Sequence, residues 1–179
     1  SSVPVINALT DLEHPCQALA DFLTIQEEFG TLQGLTLAYI GDGNNVANSL
    51  ILGGAILGVN VRVACPKGFE PSTSIVQKAT KLCSSSRVEI LNDPLEAIHG
   101  CNVIYTDVWA SMGQEKEKLK REEYFQGFTV DNELINKAKA ASNAIFLHCL
   151  PAHRGEEVSD QLIESKISRV FDQAENRLH

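Results

Sequence analysis

One rhythm runs through the chain. Short apolar runs rich in branched residues alternate with segments of helical period. The runs are "LTLAYIG" (35–41), "NVRVACP" (60–66), "RVEILND" (87–93), "CNVIYTD" (101–107) and "AIFLHCLP" (144–151). Between them lie "NVANSLILGGAILG", the helical part of "PSTSIVQKATKLCSSS", "PLEAIHG" and "NELINKAKAA". A helix over 14–30 precedes the first run, with Gly30 placed to end it, and "EEVSDQLIES" (156–165) predicts a helix after the fifth. "RVFDQA" (169–174) reads as one more strand. Such alternation predicts an α/β fold, an open, mostly parallel sheet of about five strands with helices on both faces.

Polar chemistry gathers where the strands end: "GDGNN", "CPK", "ND", "TD" and "HCLP". In parallel α/β sheets of this Rossmann-like kind, ligands bind at the carboxyl ends of the strands. The unusual side chains therefore share one rim.

Length and charge narrow the function. At 179 residues the chain can bury the core of one domain. A formal charge of −8 excludes a nucleic-acid coat, and an anionic ligand must be held by local groups. The longest apolar stretch, "LILGGAILGV" (50–59), is too short for the roughly 20 residues of a membrane span. Five scattered cysteines form no C-x-x-C pair, so neither a zinc site nor a disulfide framework is expected, and a reducing compartment is the simpler setting. No metal and no cofactor are expected. The sequence begins "SSVPVIN" and stops at "AENRLH", which reads as part of a longer protein.

Four constellations carry possible chemistry. "GDGNNV" (41–46) follows a strand and opens a helix, but Val46 replaces the third glycine of a dinucleotide fingerprint and the second strand ends without an acid. Asn44 suits a helix cap, and Asn45 can point an amide into the rim. "EHPCQ" (13–17) sets Pro15 in the first turn of a helix, with His14 held extended at its positive end and Gln17 a turn on. Both can donate to an anion or a carbonyl oxygen. "HCLP" puts Cys149 on the rim, as a core cysteine or a reactive one, with His148 facing the opposite way. Arg177, beyond "RVFDQA", is either solvated or able to fork onto a phosphate. After the fourth run, Asp107 is an acid where the strand leaves the core, followed by Trp109 and Ser111-Met112-Gly113. The mixed charges of "GQEKEKLKREE" (113–123) read as a solvated lid or helix face.

Taken together, "HPCQ", "DVWASMG", "HCLP" and "AENR" resemble, in order, the motifs of the carbamoyltransferase family, on its ornithine-using branch. The resemblance covers essentially the whole chain. HPxQ is shared with the aspartate-using branch, whereas Asp-x-x-x-Ser-Met-Gly with HCLP is specific to the ornithine one. It implies a carbamoyl phosphate site containing His14, Gln17, Cys149, Leu150 and Arg177, and an L-ornithine site containing Asn45, Asp107, Ser111 and Met112. Catalytic weight falls on Cys149, His14 and Arg177. It further implies that residues 1–179 are the ornithine-binding domain, inactive alone, with the carbamoyl phosphate-binding domain and a closing C-terminal helix outside them. The Ser-Thr-Arg-Thr phosphate loop of that other domain does not occur here, since "PSTSI" (71–75) lacks the arginine. A trimer-based homo-oligomer is implied for the intact chain, with a cytoplasmic location or, alternatively, an organelle matrix. Two other readings remain open: a non-catalytic α/β binding domain, and a nucleotide-dependent enzyme using "GDGNNV".

Overall fold

The computed structural model describes residues 2–83, 85–110 and 118–179. Among these, five strands form one sheet: β1 (Thr36–Ile40), β2 (Asn60–Ala64), β3 (Val88–Leu91), β4 (Val103–Thr106) and β5 (Ile145–His148). Their order is β3-β2-β1-β4-β5, and every neighbouring pair is parallel. The helices among the described residues are α1 (Pro15–Phe29), α2 (Asn45–Leu57), α3 (Thr73–Leu82), α4 (Pro94–Ile98), α5 (Lys118–Tyr124), α6 (Asn132–Ala138), α7 (Asp160–Ile163) and α8 (Val170–Asn176).

The strands β1, β4 and β5 are mostly apolar on both faces because both faces are covered, whereas β2 and β3 carry Arg62 and Glu89, paired at 3.0 Å. Side chains alternate between two cores. Leu37, Tyr39, Val61, Val63, Val103, Tyr105, Ile145 and Leu147 pack with Phe22 and Ile25 of α1 and Leu50 and Ile51 of α2. Ala38, Ile40, Ala64, Ile104 and Phe146 pack with Ile98 of α4, Phe125 and Leu162 on the other side. Period-two alternation thus decides which half of each strand meets which helices.

Local chemistry sets the helix ends. Pro15 occupies the first turn of α1, where no partner for its missing N–H is required, and Gly30 closes it at φ 72°. Asn44 caps α2 by accepting from the Val46 and Ala47 amides, and Asp131 caps α6 through the Leu134 amide. The stretch "LILGGAILGV" lies within α2 and its exit, where Gly54 lets the helix approach β2. A Cβ on Gly54 would stand 2.5 Å from Val61 Cγ2 and 3.0 Å from the Val59 carbonyl oxygen. Gly54→Ala is expected to destabilise the fold by about 1–3 kcal/mol through overpacking, read as a lower urea midpoint at unchanged slope.

Two sequence expectations are corrected. The stretch 169–174 is not a strand: Ser168 makes one bridge to Phe146, covering the open edge of β5, and the chain then turns into α8. The deciding pattern is Val170, Gln173 and Asn176, buried at helical spacing. Gln173 and Asn176 are polar, so an apolar count misses the period. They hydrogen-bond Asp21, Thr24 and Glu27 on α1, while Arg169 forks onto Glu28 at 2.7 and 2.8 Å. The helix expected over 156–165 forms only at Asp160–Ile163, because Glu157 is drawn inward to His148 and Val158 bridges Val130.

Candidate functional site at the carboxyl edge of the sheet

β1 sits between β2 and β4, so the chain reverses direction of travel across the sheet at the β1–β4 boundary. Crevices open at such a switch point, outside the strand ends. Gly41-Asp42-Gly43-Asn44 leaves β1 there, Asp107 follows β4 and Cys149 follows β5.

Asp107 is the centre. Its Oδ2 accepts from the Asn44 amide at 2.7 Å, and its Oδ1 from the Cys149 thiol at 2.9 Å and the Val108 N–H at 2.8 Å. Among the described residues no arginine or lysine pairs with it. The nearby guanidinium of Arg121 goes instead to Asp42, at 2.5 Å, and to the Trp109 carbonyl, at 2.8 Å. The carboxylate is oriented by neutral donors and keeps its charge available. Trp109 packs on Phe125 in the second core and leaves the rim to Asp107.

Asn44 is the residue that sequence reasoning reduced to a cap. It does cap α2 through Oδ1, which also receives the Tyr39 hydroxyl at 3.2 Å, but that leaves its Nδ2 free to hold Asp107. The usable signal was the doubled Asn in "GDGNNV". Asn45, named from the sequence, donates to the Thr10 carbonyl at 2.8 Å, tying α2 to the segment before α1.

Cys149 is held as a thiol. Burial, then the charge of Asp107 and the hydrogen bond to it, push its pKa well above the ordinary thiol value. His148 turns to the other side, as expected: its Nδ1 accepts from the Leu150 N–H at 2.9 Å, which puts the proton on Nε2 toward Glu157 at 3.1 Å. Leu150 is thereby fixed at φ 55°, a conformation rare for a bulky residue, and a cis peptide joins it to Pro151.

His14, Gln17 and Arg177 form the neighbouring group. The His14 N–H donates to Ser49 Oγ at 2.7 Å, which fixes the start of α1 against α2. Burial first, and then Arg177, lower the His14 pKa from its ordinary value, which favours the neutral imidazole. Arg177, at the end of α8, donates to Gln17 Oε1 at 2.7 Å. The structure thus brings together His14, Gln17, Arg177, Asp107, Cys149 and Leu150. Ser111 and Met112 lie outside the described residues.

This edge and fold define a parallel α/β domain whose polar side chains gather on one rim. Residues 33–179 match the family described as "Aspartate/ornithine carbamoyltransferase, Asp/Orn binding domain", and residues 1–27 match its "carbamoyl-P binding domain". The chain belongs to the aspartate/ornithine carbamoyltransferase family. It is 63% identical over 180 residues to an ornithine carbamoyltransferase of Prochlorococcus marinus, covering 100% of this chain and 56% of that protein. Among solved structures, the ornithine carbamoyltransferase of Gloeobacter violaceus superposes with a TM-score of 0.90 at 50% identity, over 99% of this chain and 59% of that one. That of Pyrococcus furiosus gives 0.91 at 51%, over 100% and 57%. The chain therefore spans little more than half the length of its relatives. No helix among the described residues is long and apolar enough to cross a membrane.

Proposed function

We propose that this chain supplies the L-ornithine site, and part of the carbamoyl phosphate site, of an enzyme that transfers a carbamoyl group to the side-chain amine of L-ornithine, giving citrulline and phosphate. The observation that carries the reading is the charge of Asp107 at the switch point, without a cationic partner among the described residues and framed by an amide and a thiol. An α-ammonium group satisfies it, and that contact fixes which end of the amino acid faces the carbonyl. Ser111 and Met112 would orient the remainder, and Asn45 would join them only by giving up its bond to the Thr10 carbonyl. His14 and Gln17 fall within the stretch 1–27 that matches the carbamoyl phosphate-binding description, which supports their assignment to that ligand.

The reaction is attack by the neutral δ-amine on the carbonyl carbon, with phosphate leaving. A free alkylamine has a pKa of about 10.4, so the site must favour the deprotonated form, and desolvation at the rim does so. A neutral His14 donates to the carbonyl oxygen as charge builds there, a contribution typically worth about 2.7–4 kcal/mol. Arg177 takes phosphate charge, together with groups outside this chain. Leu150, through its fixed backbone, belongs to the same ligand site. Cys149 positions the substrate through Asp107, and its raised pKa argues against a covalent role. Cys149→Ser in the full-length protein is expected to lower kcat about tenfold and to yield no trapped acyl adduct by mass spectrometry.

The deciding assay is citrulline formation from L-ornithine and carbamoyl phosphate. The full-length protein should be active and residues 1–179 alone inactive; an inactive full-length protein overturns the reading. Putrescine lacks the carboxylate and an N-acylated ornithine lacks the cation for Asp107, so both should be poor substrates. A homo-oligomer built on trimers and a cytoplasmic setting, consistent with five free cysteines, complete the proposal.

A further inference from the structure

Two glutamine amides behind the rim have their orientations imposed from outside. A guanidinium only donates, so Gln17 turns its oxygen to Arg177 and its nitrogen inward. The backbone N–H of His148 also only donates, so Gln173 turns its oxygen to it at 2.9 Å and its nitrogen inward. Both nitrogens meet the same acceptor, Asp21 Oδ1, at 2.8 and 2.6 Å. The other oxygen, Oδ2, accepts from the Tyr105 hydroxyl at 3.1 Å. Asp21 is fully buried, and among the described residues no cation forms a salt bridge with it. A buried carboxylate is an expensive way to fill space in a helix. Here it is an acceptor shared by α1, α8 and the end of β4, with β5 joined through Gln173.

We propose that Asp21 is a positioning residue for the carbamoyl phosphate site: its carboxylate holds the Gln17 amide so that the Gln17 oxygen anchors the Arg177 guanidinium at the rim. This rests on the carbamoyltransferase reading. Without the acceptor, the amide is free to flip and present its NH2 to the guanidinium, which releases Arg177 from the site. Asp21 acts through Gln17 and Arg177 and touches no substrate.

The charge state gives the pH sign. The ionisable groups facing Asp21 are Arg177 on α8, Tyr105 at the end of β4 and Cys149 after β5. Burial pushes Asp21 up to about 7, while Gln17, Gln173, Tyr105 and Arg177 pull it back. As pH falls through that region, the carboxylate takes a proton, Gln17 loses its anionic anchor, and KM for carbamoyl phosphate rises. Removing the Tyr105 hydroxyl takes away one stabilising donor, so the same limb moves to higher pH.

The test uses steady-state kinetics of the full-length protein. Wild type that forms no citrulline overturns the functional reading itself. If wild type is active, Asp21→Leu, which removes both acceptor oxygens, is expected to raise KM for carbamoyl phosphate about tenfold or more, with KM for L-ornithine at saturating carbamoyl phosphate within twofold. Arg177→Gln and the double variant should then be equally impaired, because the effect of Asp21 passes through Arg177. Additive losses, or a KM increase for both substrates alike, overturn the positioning role. Should Asp21→Leu fail to fold, Tyr105→Phe carries the test: an upward shift of the acidic limb of carbamoyl phosphate KM supports the proposal, and an unmoved limb overturns it.

Discussion

Asp107→Asn in the full-length protein is expected to lower kcat/KM for L-ornithine more than a hundredfold, while KM for carbamoyl phosphate changes less than threefold. Asparagine keeps the shape and can still meet Asn44 or Cys149, but it offers no charge to an ammonium group. Truncating one partner of a desolvated charge pair costs about 2–5 kcal/mol, and 3 kcal/mol is already a factor of about 150. The same change should not weaken the fold. Burial first, and the Asp107 charge as a further cause, raise the pKa values of Cys149, Tyr39, Tyr105 and Asp42, so Asp107 sits among groups that resist further negative charge. A thermal midpoint equal to or above wild type, beside a collapsed rate, is the signature of a residue kept for function. Unchanged ornithine kinetics would remove Asp107 from the substrate site.

Arg121→Met is expected to act on the fold, by about 3–5 kcal/mol, the usual cost of stranding one member of a buried ion pair. Arg121 reaches from α5 to Asp42 at the end of β1, donates to the Trp109 carbonyl, and lies over the Phe69 ring at 5.1 Å. Both partners are mostly buried, with 10% and 13% of the side chains exposed. Burial raises the Asp42 pKa and Arg121 opposes that. With the guanidinium gone, the folded-state pKa rises further above the unfolded value. The destabilisation is then absent at acid pH, where Asp42 is protonated in both states, and appears as pH rises through the folded-state pKa. Urea denaturation at pH 3 and pH 8 checks this: the loss should be small at the first and large at the second. Asp42→Asn combined with Arg121→Met should recover part of it, because no buried charge is then left alone.

β1, β4 and β5 were legible because a parallel strand covered on both faces is a nearly unbroken apolar run, and β2 and β3 because branched residues alternate there with Arg62 and Glu89. Their order was not, because β3-β2-β1-β4-β5 depends on pairings between distant segments that no local pattern encodes. Helix α8 was misread for a physical reason: its inward face is Gln173 and Asn176, polar groups satisfied by α1, where periodicity looks for apolar ones. The motif residues His14, Gln17, Asp107, Cys149, Leu150 and Arg177 could be named from the sequence and do converge. Asn44 and Asp21 could not be ranked, because each looks locally like a cap or an ordinary helical acid. What distinguishes them is a partner 63 residues away for Asn44, and 152 and 84 residues away for Asp21.

The central place of β1 has a kinetic consequence. It joins β2 early, across a short stretch of chain, but meets β4 only by closing a gap of 66 residues. Loop closure of that length slows folding. A chain with β1, β2 and β3 assembled would have much of its sheet and no crevice at all, since Asn44 would still lack Asp107 and Cys149. Capture of an amino acid should therefore appear late in refolding, reporting completion of the last long-range docking and lagging behind the recovery of secondary structure.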